Sequence, residues 1–158
     1  MGQTIRTPRP RNHLPKGIPM AKPDITSDHV LTRAGEDYLE AIYVLSLKSE
    51  GGAVRSVDVA EDLDVSKASV NKALAMLKEQ GMVTQEHYGK VALTEAGSEY
   101  GRLVWRAHRA LRAFLTDEIG VEYDIADEEA CLMEHALSQN TLNLLIDHLK
   151  AEGIFIED

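Results

Sequence analysis

Residues 55–80 read RSVDVAEDLDVSKASVNKALAMLKEQ, and the punctuation inside this stretch decides the fold. Arg55–Leu63 makes a short helix entered through Ser56 or Val57. Asp64-Val65-Ser66 leaves room only for a tight connection, and the Ser66 hydroxyl suits the N-cap of the next helix. From Lys67 to Gln80, Val70, Ala73, Leu74 and Leu77 recur at helical spacing, and Gly81 stops the run. Downstream, Met82–His87 alternates weakly, Tyr88-Gly89-Lys90 reads as a turn, and Val91–Leu93 returns as a second strand. Upstream, a first helix opens at Thr32 or Gly35 and runs to about Leu47, ahead of the turn chemistry of Ser49-Glu50-Gly51-Gly52. Helix, short helix, tight turn, helix and hairpin is the order of a winged helix-turn-helix with a small two-stranded wing.

In such a unit the helix after the tight turn enters the major groove of DNA. Its outward residues are Ser66, Lys67, Ala68, Ser69, Asn71 and Lys72, all small, polar or basic. Lys67 and Lys72 suit phosphates or guanine edges, and Asn71 suits an adenine edge. Lys90 at the hairpin tip and Arg55 are placed to reach phosphates. An ordinary solvated helix face carries similar residues, but the order of elements favours DNA binding.

Composition sets the frame. The chain has 158 residues, 44% hydrophobic and 27% charged, enough for one domain or two small ones sharing a core. No apolar run reaches the length of about 18 residues that a membrane span needs, and no secretory signal is visible at the N-terminus. Cys131 is the only cysteine, which excludes an internal disulfide and fits a reducing cytoplasm. Aromatic residues make up 5%, too few for a broad base-stacking surface. The net charge is −9, yet residues 1–23 hold Arg6, Arg9, Arg11, Lys16 and Lys22, no acidic residue and all five prolines. Residues 1–29 therefore read as a basic, disordered arm, either a leader or a DNA-contacting extension. Residues 30–93 make the winged helix-turn-helix and residues 94–158 a helical domain. In the latter, Thr94 with Gly97 opens a long helix that ends near Ile119 at Gly120, followed by short helices at Asp127–Leu137 and Ser138–Glu152. The fold is mainly α.

The helical domain carries the chemistry. Cys131, Glu134, His135 and Ser138 fall on one face if 127–137 is helical. Thiol, carboxylate and imidazole are the side-chain groups that bind first-row transition metals. In the first helix, Glu40 is the one charged residue within Tyr38–Leu45, and Asp37 precedes it by three. An acid in an apolar run is costly to bury unless it is paired or metal-bound. His108 lies on the stripe Val104–His108–Leu111–Leu115 of the long helix, flanked by Trp105. Each residue alone has a plain structural reading. Asp37 complements the helix dipole, Glu40 makes a salt bridge, His108 is a satisfied core histidine and Cys131 is a small buried hydrophobe. Two carboxylates on one helix, a histidine on a second and a Cys-Glu-His turn on a third together point to joint metal binding.

These motifs resemble one family, the iron- and manganese-dependent repressors related to the diphtheria toxin repressor. The resemblance covers roughly Thr32 to Glu152. It rests on EDYLEAIY at 36–43, VSKASV at 65–70, LTEAG at 93–97, His108 with Phe114-Leu115, and EEACLMEHALS at 128–138. It implies a metal-activated repressor of metal-homeostasis genes, working as a homodimer on a palindromic operator. It also implies a helical metal-binding and dimerisation domain after the winged helix. Asp37, Glu40, His108, Cys131, Glu134 and His135 fall on the family's metal-ligand positions. Asp37 and Glu40 look manganese-type, whereas Cys131 looks iron-type, so the chain is a hybrid. Arg112 and Asp127 fall where iron-responsive members place a glutamate and a histidine of an accessory site, a departure from that pattern. The optional SH3-like domain of the family is not expected before the chain ends at Asp158. Mn2+ or Fe2+ is the expected cellular metal, with Co2+, Ni2+, Zn2+ or Cd2+ able to substitute in vitro. Two rivals are a metal-independent winged-helix regulator sensing a small organic ligand, and a zinc hydrolase or deaminase using Cys131 and His135. The second fits poorly, since neither a nucleophile motif nor a glycine-rich phosphate loop is present, and no enzyme activity is expected.

Overall fold

A computed structural model describes residues 31–85, 89–154 and 156. The expected N-terminal arm and the hairpin residues 86–88 lie outside the described residues. The chain runs α1 (Arg33–Lys48), a 3-10 turn (Glu50–Gly52), β1 (Val54–Arg55), α2 (Ser56–Asp62), α3 (Lys67–Glu79), β2 (Val83–Gln85), β3 (Lys90–Leu93) and α4 (Glu95–Ala113). After α4 come π-helical turns (Phe114–Ile119), α5 (Tyr123–Met133), a second 3-10 turn (Glu134–Ala136) and α6 (Gln139–Ala151).

Side-chain caps set the helix starts. Thr32, Ser66, Thr94 and Ser138 each accept a bond from the backbone N–H three residues on, at 3.0–3.2 Å, satisfying donors that the helix itself cannot. Between α2 and α3 the chain turns through Asp64 at φ 51, a left-handed conformation that aspartate tolerates better than most residues. The Val65 N–H bonds back to Ala60 O at 3.0 Å and fixes the angle of α3 on α2.

The sheet has three strands, in order β1–β3–β2 and antiparallel, where the sequence suggested two. Val54 pairs with Val91 and Arg55 with Lys90. A two-residue strand is too short to show alternation, so Arg55 read as the start of the helix that follows it. Leu39, Ile42, Val59, Val70, Leu77, Met82 and Val91 form the core of this first half. Ala107, Ala110, Leu142, Ile146 and Leu149 form a second core among α4 and α6.

The two halves are tied closely. Thr94 Oγ1 donates to Gly81 O at 2.7 Å while capping α4, so the wing and the long helix share one residue. A Cβ on Gly97 would lie 1.9 Å from Met82 O, and one on Gly101 would lie 2.7 Å from Tyr43 Cβ. Only glycine lets α4 lie this close to the α3–β2 connection and to α1. That closeness sets the acidic residues of α1 against the histidines of the second half. Among the described residues no helix is long and apolar enough to cross a membrane.

Candidate metal centre

Six side chains from four elements converge where α1 meets the helical domain. Single donor atoms of Asp37, Cys131, Glu134 and His135 lie within 4.8 Å of one another, as do those of Glu40, His108 and Glu134. Glu134 belongs to both groups and is their hinge. The structure thus brings together all six residues that the sequence singled out for metal.

The local fold differs from the single helical face expected at 131–138. The α-helix ends at Met133, and Glu134–Ala136 tighten into a 3-10 turn. Ser138 leaves the group and caps α6, accepting from the Thr141 N–H at 3.2 Å. The tightened turn draws Glu134 inward and sets His135 beside α1. α5 also starts at Tyr123, earlier than Asp127, with Asp124 in its first turn.

Each imidazole is held at both nitrogens. His135 Nδ1 is 2.6 Å from Glu36 Oε2, and Nε2 is 2.8 Å from Asp37 Oδ1 and 3.2 Å from Glu134 Oε1. His108 Nδ1 is 2.9 Å from Glu134 Oε2, and Nε2 is 2.9 Å from Asp127 Oδ1. The Glu134 carboxylate is fully enclosed, and its Oε1 lacks an aligned hydrogen-bond donor despite the nearby His135 nitrogen.

Acid crowding dominates the electrostatics. Burial, reinforced by the neighbouring Glu134, pushes the Glu40 carboxyl from the ordinary 4.5 up to about 8 against the pull of both histidines. Burial alone would depress His135, but the carboxylates of Asp37, Glu134 and Glu36 that face its ring N–H groups outweigh it and push the imidazole up to about 12. His108 is likewise raised: bonds to Glu134 and Asp127 overcome its burial. Burial, then the charges of Glu134, Asp37 and Glu40, push the Cys131 thiol up. The cluster is rich in carboxylates, and the proton held by His135 offsets part of their charge.

A divalent cation fits this arrangement. The orphaned Glu134 oxygen lies 3.2 Å from His135 Nε2, within the cluster, and a bound ion would satisfy it. Three carboxylates and two imidazoles suit Mn2+ and Fe2+, while the Cys131 sulfur adds preference for softer ions.

Sequence reasoning missed Glu36 and Tyr100. Glu36 bonds both to His135 and to the Tyr100 hydroxyl, which reaches it from α4. The signal was present, since Glu36 and Glu40 are spaced by four and so share a helix face. Burial and the bond to Glu36 hold the Tyr100 phenol well above its ordinary value.

The residues expected to face DNA are all on the surface. Ser66, Lys67, Ala68, Ser69, Asn71 and Lys72 are exposed at the start of α3, as are Arg55 and Lys90. Some are already engaged. The Arg55 guanidinium grips Asp58 with bonds of 2.9 and 2.5 Å, and the Ser66 and Ser69 hydroxyls lie 2.9 Å apart. Asn71, Lys78, Thr84 and Gln85 line a groove between α3 and the wing.

Fold and site together define a winged-helix DNA-binding protein whose second, helical domain carries a cluster of metal-type donors. Comparison with known proteins makes this specific. Residues 30–91 match the iron dependent repressor N-terminal DNA binding domain, and residues 94–151 match the iron dependent repressor metal binding and dimerisation domain. The chain belongs to the iron-dependent repressor family. It is 37% identical over 117 residues to the HTH-type transcriptional regulator MntR of Geobacillus thermodenitrificans, covering 73% of this chain and 80% of that protein. It is 31% identical over 115 residues to the diphtheria toxin repressor of Corynebacterium diphtheriae, covering 73% of this chain and 50% of the repressor. A solved manganese-dependent transcriptional repressor in complex with manganese superposes with a TM-score of 0.68 at 31% identity, over 78% of this chain and 55% of that one. The chain therefore spans about half the length of some relatives and most of others.

Proposed function

We propose that this chain is a metal-activated transcriptional repressor controlling manganese or iron homeostasis genes, acting by binding rather than by turnover. Asp37, Cys131, Glu134 and His135 would hold one ion, and Glu40, His108 and Glu134 a second, with Mn2+ or Fe2+ the cellular metal. The observation that carries this reading is the placement of Glu134. Its carboxylate lies buried between acids of α1, in the DNA-binding domain, and imidazoles of α4 and the 134–136 turn, in the helical domain.

A bound divalent ion supplies the positive charge that this acidic cluster lacks. The chain's own residues turn that into a response. Asp37 and Glu40 repel Glu134 unless protons or an ion intervene, so an ion adds to the packing that already holds α1 against the helical domain. α1 packs in one core with α3, so the placement of α1 sets the placement of the recognition helix. Exposed apolar side chains, Ile119, Tyr123, Ile125, Leu132 and Leu144, line the helical domain and support pairing with a second copy there. Two recognition helices held about 34 Å apart fit two half-sites of a palindromic operator. A cytoplasmic location accords with this role.

The test is operator binding by the full chain, measured by fluorescence anisotropy with and without Mn2+, Fe2+, Co2+ and Zn2+. An affinity that does not respond to any of these ions would leave the small-ligand regulator as the better account. Within that assay, Lys67→Ala and Lys72→Ala each weaken binding to all sequences alike and reduce the salt slope by about one. Asn71→Ala instead relaxes discrimination at one base pair, worth about 1–3 kcal/mol.

A further inference from the structure

The two nitrogens of His108 face different ways. Nδ1 lies 2.9 Å from Glu134 Oε2, inside the cluster, whereas Nε2 lies 2.9 Å from Asp127 Oδ1 on α5, outside it. The same Asp127 oxygen accepts from Arg112 Nη1 at 2.6 Å. Arg112 follows His108 by one helical turn, and its guanidinium sits 6.0 Å from the Trp105 ring centre and 5.0 Å from that of Tyr123. Trp105 in turn stacks on the imidazole, with ring centres 5.4 Å apart and planes within 10°. The ring is therefore held on its face by Trp105 and at its outer nitrogen by a carboxylate that Arg112 fixes.

A neutral imidazole offers one donor and one acceptor, and an ionised carboxylate only accepts. We infer that Asp127, clamped by Arg112, is a positioning residue that accepts the Nε2–H of His108 and so presents Nδ1 as the donor atom beside Glu40 and Glu134. A carboxylate behind a ligating histidine sets the tautomer, holds the ring angle and raises the basicity of the inner nitrogen. The arrangement is local to one group: Asp127 and Arg112 act through His108, whereas Glu36, bonded to Tyr100, contacts His135. Arg112 and Asp127 thus form a half-exposed ion pair that serves the Glu40–His108–Glu134 group.

This inference rests on the metal reading above, and its test separates the two. The full chain, labelled with 15N and loaded with diamagnetic Zn2+, is read by long-range 1H–15N spectra of its histidines. The wild type shows His108 bound through Nδ1, with a protected Nε2–H. In Asp127→Ala that proton is lost to exchange, and affinity for the ion held by His108 falls about 10–100-fold. Co2+ titration of the same variant keeps the near-ultraviolet sulfur-to-cobalt band of the Cys131 group, which also reports an intact fold. Asp127→Asn retains an oxygen acceptor and recovers part of the loss. Binding of His108 through Nε2, or undiminished affinity in Asp127→Ala, overturns the inference. Loss of the Cys131 band along with the His108 signals overturns it too, because Asp127 would then support the whole fold. A wild type that binds neither Zn2+ nor Co2+ overturns the metal reading itself.

Discussion

Glu134→Gln removes the metal response of operator binding while the chain stays folded. The reason is that one carboxylate serves both groups. Asp37, Cys131 and His135 lie on one side of it and Glu40 and His108 on the other, with all donor atoms within 4.8 Å of their group. Losing Glu134 leaves each group short of a charged ligand. The fall in affinity should exceed about 100-fold, the upper end of what an outer hydrogen-bond partner costs. Glutamine keeps the volume of this enclosed side chain, so no cavity opens. It removes the like charge that helps to hold the Glu40 carboxyl up near 8, and this offsets part of what His108 and His135 lose with their carboxylate partner. Isothermal titration with Mn2+ and anisotropy with operator DNA measure the two halves of this expectation. A variant that still tightens on DNA when Mn2+ is added would remove Glu134 from the mechanism.

The second large effect is on pH. His135 and Glu40, at about 12 and about 8, both hold protons near neutrality, and an ion must displace these to use the same atoms. Metal affinity should therefore rise with pH by about tenfold per unit for each proton displaced. Titration calorimetry in buffers of different ionisation enthalpy counts those protons directly, and a count of zero at neutral pH would contradict the described electrostatics. The metal-free protein should show the opposite trend in stability. Both groups have folded values above their ordinary 6.5 and 4.5, so the folded state binds the extra protons. Their contribution is complete at low pH and is lost as pH rises, through about 8 for Glu40 and on toward about 12 for His135. The melting temperature without metal should fall between about pH 6.5 and 9, and saturating Mn2+ should reverse that slope.

These effects come from residues that differ in how visible they were. The six metal-type donors were legible because an acid inside an apolar helix and a Cys-Glu-His turn break the expected patterns. The Asp37 signal was ambiguous alone, since an acid in a first helical turn has a dipole reason to be there. Glu36 escaped for that same reason, and Tyr100 because its hydroxyl meets Glu36 only across two packed helices. Ser138 was misplaced because a shift from α-helical to 3-10 geometry at Glu134 changes which residues share a face. No periodicity marks where that shift falls.

The winged helix-turn-helix was legible in the order of residues alone, through the Asp64–Ser66 turn, the caps at Ser66 and Thr94, and the apolar spacing of α3, whereas the choice of Thr32 over Gly35 as the start of α1 came from its bond to the Gly35 N–H. The sequence also marked the carboxylates, histidines and cysteine that the fold brings together, because those signals are local and chemical. Three features arise from contacts between distant segments: the donors form two groups hinged on Glu134, Arg112 and Asp127 pair behind His108, and β1 joins the sheet. The two donor groups depend on how closely α4 approaches α1, which the missing Cβ of Gly101 permits, while the ion pair needs α5 packed on α4 and β1 needs β3 beside it, contacts between segments distant in the chain.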